Sequence, residues 1–151
     1  GRLEDCTPNV VELLPTLLEH GKQILLKLSP MLDLTQAVTS LSQVTWDIYV
    51  VAIKNEVKEL LLLSGGTGQI TAIDLDKKDQ AFVFTREEEQ NCQMVNGKCE
   101  NGKWLYEPNA AILKAGAYKL VAERFGLHKL DINTHLYSIA KIDFILLSSK
   151  F

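Results

Sequence analysis

The sequence predicts a mixed α+β protein, with an α/β piece at its front, an antiparallel β-meander in the middle and a smaller α/β unit behind. Three observations carry this. Residues 3–28 run as a helical pattern, a glycine and an apolar strand, which is half of a parallel α/β unit. Residues 46–85 hold four strand-like runs separated by turn chemistry. Trp104–Gly126 reads as an extended lead-in followed by a punctuated helix. The chain has 151 residues and is 46% hydrophobic, enough for one compact core or two small ones.

The first helix is expected from Thr7 as N-cap and Pro8 as first residue, with Val10, Val11, Leu14, Leu17 and Leu18 on one face. Pro15 predicts a kink or restart, and Gly21 a stop. Gln23–Pro30 comes next as a short buried strand ending in a Ser-Pro loop signal. Asp33 is placed to cap a helix of about two turns, with Gln36 three residues on and Ala37, Val38 and Leu41 as its apolar side.

From Val44 the texture becomes β-branched and aromatic. Trp46–Ile53 reads as a strand, Lys54-Asn55 as a two-residue turn without the usual glycine, and Glu56–Leu63 as either a return strand or one amphipathic helix, the strand being favoured by the Ser64–Gly68 turn signal that follows. Gln69–Leu75 alternates with period two, and Gln80–Thr85 is a further strand. Arg86–Gln90 is acidic and polar, and 91–103 is a loop with two Asn-Gly pairs. Then Pro108 and Asn109 open a helix that runs to Gly126, with Leu113, Ala117, Leu120, Val121 and Arg124 along one stripe. Lys114, Tyr118 and Lys119 lie off it. Leu127–Asp131 is a turn, Asn133–Ala140 is ambiguous, and Ile142–Leu147 reads as a final strand.

Charge and motifs narrow the function. The net charge of −3 argues against a strongly basic nucleic-acid clamp. It is uneven: residues 103–151 carry seven Lys/Arg against four Asp/Glu, and residues 1–102 carry nine against fifteen. Gly65-Gly66-Thr67-Gly68 lacks the spacing of a nucleotide loop and reads as a hairpin turn. Cys92 and Cys99 have no zinc-knuckle spacing, and three cysteines without a signal peptide fit a reducing, cytoplasmic setting. Cys6 beside Glu4-Asp5 has no nearby base, so nucleophilic catalysis is not expected. No apolar run reaches membrane-spanning length. The best polar cluster at a strand end is Lys27, Ser29 and Asp33, where α/β folds place ligand loops. His128 and His135 are expected at the surface.

Leu3-Glu-Asp-Cys-Thr-Pro8, Leu26-Lys-Leu-Ser-Pro-Met-Leu-Asp33, the run Asn55–Leu62 and Leu105-Tyr-Glu-Pro-Asn-Ala-Ala-Ile-Leu-Lys-Ala-Gly116 occur in that order. Together they resemble the C-terminal part of bacterial class I S-adenosylmethionine-dependent methyltransferases that carry ferredoxin-like and THUMP-like domains. The resemblance implies a division into the end of a Rossmann-like domain (1–43), a ferredoxin-like domain with an exposed loop (44–102) and a THUMP-like module (103–151). It implies S-adenosylmethionine as cofactor of the full-length parent. The cofactor loop and catalytic Asp-Pro loop of such enzymes lie upstream of a segment like Leu3–Cys6, so no catalytic, cofactor or metal residue is expected here. THUMP domains are associated with RNA, which implies an RNA methyltransferase as parent. Lys103, Lys114, Lys119 and Arg124 are then the candidate phosphate contacts and Tyr106 a candidate base stacker. Trp104 and Tyr137 are further aromatic residues able to stack. The alternative is a structural module that packs on the missing N-terminal catalytic domain, with exposed apolar surface able to drive oligomers.

Overall fold

The computed structural model describes residues 3–77, 81–93, 104–139 and 147–148. The fold is mixed α+β, as the sequence predicts. Among the described residues two sheets form, one of five strands and one of four.

The first sheet holds β1 (Leu25–Leu28), β2 (Trp46–Ile53), β3 (Glu56–Ser64), β4 (Gln69–Asp74) and β5 (Phe82–Thr85), in the order β1-β3-β2-β4-β5. Helices α1 (Val10–His20) and α2 (Leu34–Ser40) flank β1 in sequence. The α/β expectation holds in a modified form. β1 and β2 each pair antiparallel with β3, so they run parallel to one another with β3 between them, and α2 is their crossover. β1 itself is therefore an edge strand rather than a buried one, and Leu25 is 61% exposed.

The Lys54-Asn55 turn is as expected. Both residues have positive φ, 52° and 60°, the left-handed pair that a two-residue hairpin requires. Glu56–Ser64 is a strand, its buried side made by Leu60, Leu62 and Ser64. The order departs from a plain meander after it. β4 pairs in parallel with β2, so residues 65–68 do not close a hairpin between neighbours; they step across the start of β2.

The first helix is capped by Asn9, not Thr7. The Asn9 side chain accepts the Val11 N–H at 3.1 Å, and Pro8 stays outside the helix. Pro15 produces no restart: α1 continues through it, with Leu14 fully buried. Asp33 caps α2 through the Gln36 N–H at 2.7 Å, as expected, and Ala37 and Leu41 enter the core.

Arg86–Gln90, read from the sequence only as acidic and polar, is helical. Arg86–Asn91 is helix α3, opened by a full capping box between Thr85 and Glu88. The single helix predicted over 110–125 is two. α4 (Ala110–Ala115) ends at Gly116, which takes φ 80°, and α5 (Lys119–Phe125) ends at Gly126, φ 61°. Gly116 accepts the left-handed cap at no Cβ cost, so the chain turns there instead of continuing. The turn changes the helical phase, and the buried set becomes Ala111, Ile112 and Ala115 on α4 with Leu120, Val121 and Ala122 on α5.

The second sheet has the order β7-β8-β6-β9, from β6 (Trp104–Pro108), β7 (His128–Lys129), β8 (Tyr137–Ile139) and β9 (Leu147–Ser148), all pairs antiparallel. The predicted strand over 142–147 lies outside the described residues except for its end, Leu147. One apolar core runs through both parts: α4 lies against β2, β3 and β4. Packing thus crosses the divisions at 43 and 102, since β1 pairs with β3 and α4 covers the first sheet. Among the described residues no helix is long and apolar enough to cross a membrane.

Candidate functional site

The glycine-rich loop is already filled from within the chain. Asp47 Oδ1 accepts the N–H groups of Thr67, Gly68 and Gln69 at 2.8, 3.1 and 3.0 Å. Successive N–H groups pointing at one anion form a nest, and here the anion is a side chain at the start of β2. A Cβ on Gly66 would overlap the Asp47 carboxylate, so the glycine is needed for this close approach. The three N–H donors of this loop are therefore occupied within the chain.

The strand-end cluster does not converge. Lys27 pairs with Glu59 across the β1–β3 ladder at 2.9 Å, with its own side chain 69% exposed. Ser29 Oγ accepts the Met31 N–H, and Asp33 caps α2. Each of the three has a local structural partner.

Three basic residues of the rear unit are tethers. Lys114 Nζ donates to the Leu32 carbonyl at 2.7 Å, and Lys119 Nζ to the Gln90 carbonyl at 3.0 Å. Arg124 donates to the Val83 carbonyl at 2.7 Å, pairs with Glu88 at 3.1 Å and lies over the Phe82 ring. All three reach out of the rear unit onto the front one. Lys103 lies outside the described residues. Tyr106 is corrected as a base stacker: it is 4% exposed, and burial raises its pKa because the phenolate would be desolvated. Tyr137 is fully buried, donates its hydroxyl to the Tyr118 carbonyl at 2.9 Å, and has its pKa pushed up to about 12, first by burial. Trp104 is 50% exposed. His135, exposed as expected, stacks on Tyr118 with ring centroids 4.6 Å apart.

The residue that sequence reasoning missed is Glu89. It is 8% exposed, and its two oxygens accept the N–H groups of Tyr118, Lys119 and Leu120 at 3.0, 2.8 and 2.9 Å. It caps α5 from thirty residues away in the chain, where Tyr118 offers no side-chain cap. Arg86, one helical turn before it, donates to the Ala115 carbonyl at 2.8 Å, at the C-terminal end of α4. The Thr85–Glu88 capping box was legible and would have placed Glu89 on a helix. Its target had no local signal. Cys92 extends the same seam: its thiol donates to Glu123 Oε2 at 2.9 Å, and burial with that bond raises its pKa to about 11. Among the described residues no cluster of three His, Cys, Asp or Glu is placed to hold a metal.

In the rear unit, with its β-strand, two short helices and antiparallel strands, a family model described as a ferredoxin-like domain matches residues 104–144. The match falls on the segment expected to be THUMP-like. Over the whole chain, the crystal structure described as a putative methyltransferase from Porphyromonas gingivalis is similar, with a TM-score of 0.78 and 35% identity over 95% of this chain. This chain spans 37% of the length of that protein. No curated protein matches it.

Proposed function

We propose that this chain is the C-terminal portion of an S-adenosylmethionine-dependent methyltransferase, acting as a packing module. On this reading residues 1–43 belong to the rear of the catalytic domain and share one sheet with the strands of residues 46–85. The cofactor is bound by residues outside this sequence, and the protein is cytoplasmic. The similarity to the Porphyromonas gingivalis protein supports the class. The observation that carries the role is the bonding of Lys114, Lys119 and Arg124 to carbonyls of the front part of the chain, which gives each described candidate phosphate contact a structural partner. The partner is then the remainder of the catalytic domain, and exposed apolar side chains such as Leu25 and Met31 are the surface it covers. Left uncovered, the same surface drives self-association.

Isothermal titration with S-adenosylmethionine tests the assignment. The 151-residue chain is expected to give no binding heat, and a tight equimolar complex would overturn it. A second reading, a module that positions RNA within a larger RNA methyltransferase, is favoured by the half-exposed Trp104 next in sequence to Lys103. A low-salt gel shift separates the two. No shift is expected, whereas a salt-sensitive shift lost in Trp104→Ala would establish the RNA reading.

A further inference from the structure

At the end of the first sheet where β2 and β4 begin, α2 and the segment after it bound a cleft of about 450 Å3. That is within the range that holds small organic ligands. Its accessible apolar lining is Val38 and Val44, above the buried Trp46, Ile48 and Ile70. The Trp46 indole N–H donates to the Leu41 carbonyl at 2.8 Å, so the ring is fixed and its polar edge satisfied. Thr45 supplies a hydroxyl and Arg86 the charge.

Arg86 is what makes this cleft more than an apolar groove. A guanidinium has five N–H donors. One nitrogen is committed to the Ala115 carbonyl, and no carboxylate of the described residues lies within ion-pair distance. Glu89, the nearest acid on its helix, has both oxygens on the N-terminus of α5. Asp33 and Glu89 act on Arg86 only as longer-range charges, and burial outweighs them, lowering its pKa. A half-buried cation with donors to spare, beside an apolar lining, is complementary to one negative charge on a flat apolar body.

We propose that this cleft binds a small organic anion of that kind, an aromatic carboxylate, with its ring against Val38 and Val44 above the buried Trp46 and its carboxylate on Arg86. The site is independent of the methyltransferase reading.

The test is titration of the 15N-labelled chain with 2-naphthoate and with its neutral counterpart, 2-naphthamide, followed by two-dimensional NMR. The chain has two tryptophans, so the indole N–H signals report separately on Trp46 in the cleft and on Trp104 outside it. Naphthoate is expected to shift the Trp46 signal saturably and leave Trp104 in place, with naphthamide binding at least about tenfold more weakly, the loss of one charge-assisted pair. Arg86→Met should reduce naphthoate to the affinity of the amide. Because that variant also loses the Ala115 bond, Val44→Phe, which fills the cleft and leaves Arg86 untouched, should abolish binding of both compounds. Equal affinity for the two compounds, no saturable shift of Trp46, or binding that survives Val44→Phe would each overturn the proposal.

Discussion

The five-stranded sheet and the rear unit share one apolar core, and the rear unit adds directed bonds to it. In the first, alternation sets which side chains enter the core: Ile48, Val50 and Ala52 on β2 face the same side as Leu60 and Leu62 on β3 and Ile70 and Ala72 on β4. The burial is continuous and the stabilisation non-directional. In the rear unit the elements are short. α4 has six residues and α5 seven, too few to be stable alone. Beyond their buried faces they are held by directed bonds from the front: Glu89 to the α5 N-terminus, Arg86 to the α4 C-terminus, and the Asn55 side chain to the Ala110 N–H at 2.7 Å. The rear unit returns three of its own, through Lys114, Lys119 and Arg124. The seam teaches that a basic residue on a short helix can tie that helix to another element, whether it lies on the apolar stripe, as Arg124 does, or off it, as Lys114 and Lys119 do.

If the contrast is right, the largest loss comes from the apolar side. Phe84→Ala, at a side chain 1% exposed that packs on Phe82 with centroids 5.6 Å apart, should cost about 4 kcal/mol by urea unfolding. Glu89→Ala should cost about 3 kcal/mol, since three backbone N–H groups lose a charged acceptor. A loss under about 1 kcal/mol would break the claim that the tethers hold the rear unit. Gly116→Ala should cost about 1–2 kcal/mol, because φ is 80° and the new Cβ would press on Arg86 at 2.9 Å. Lys114→Met, which keeps the stem and removes one bond, should cost about 1 kcal/mol.

The smallest effect is in pH. The Cys92 thiol titrates near 11 when folded against an ordinary 9, so its stabilising contribution is complete below pH 9 and is lost as pH rises toward 11. Urea midpoints for wild type should fall over that window more than those for Cys92→Ser. Equal slopes would show that burial and the Glu123 bond do not raise the Cys92 pKa.

The sequence by itself determined the strands of the first sheet, the Lys54-Asn55 turn, the Asp33 cap and the termination at Gly126. Each of these rests on neighbours within a few residues, through side-chain period, left-handed φ or a local cap. The α3 helix was also written locally, in Thr85–Glu88. Only the tertiary structure decided that β3 sits between β1 and β2, that Asp47 fills the glycine loop, and that Glu89 caps α5. Those pairings join residues twenty or more apart, and a carboxylate or ammonium group carries no mark in the sequence of which distant N–H or carbonyl it will meet. The partner is chosen by which backbone ends the packed core brings within bonding distance, so the roles of Lys114, Lys119 and Arg124 became readable only once α4 lay on the sheet.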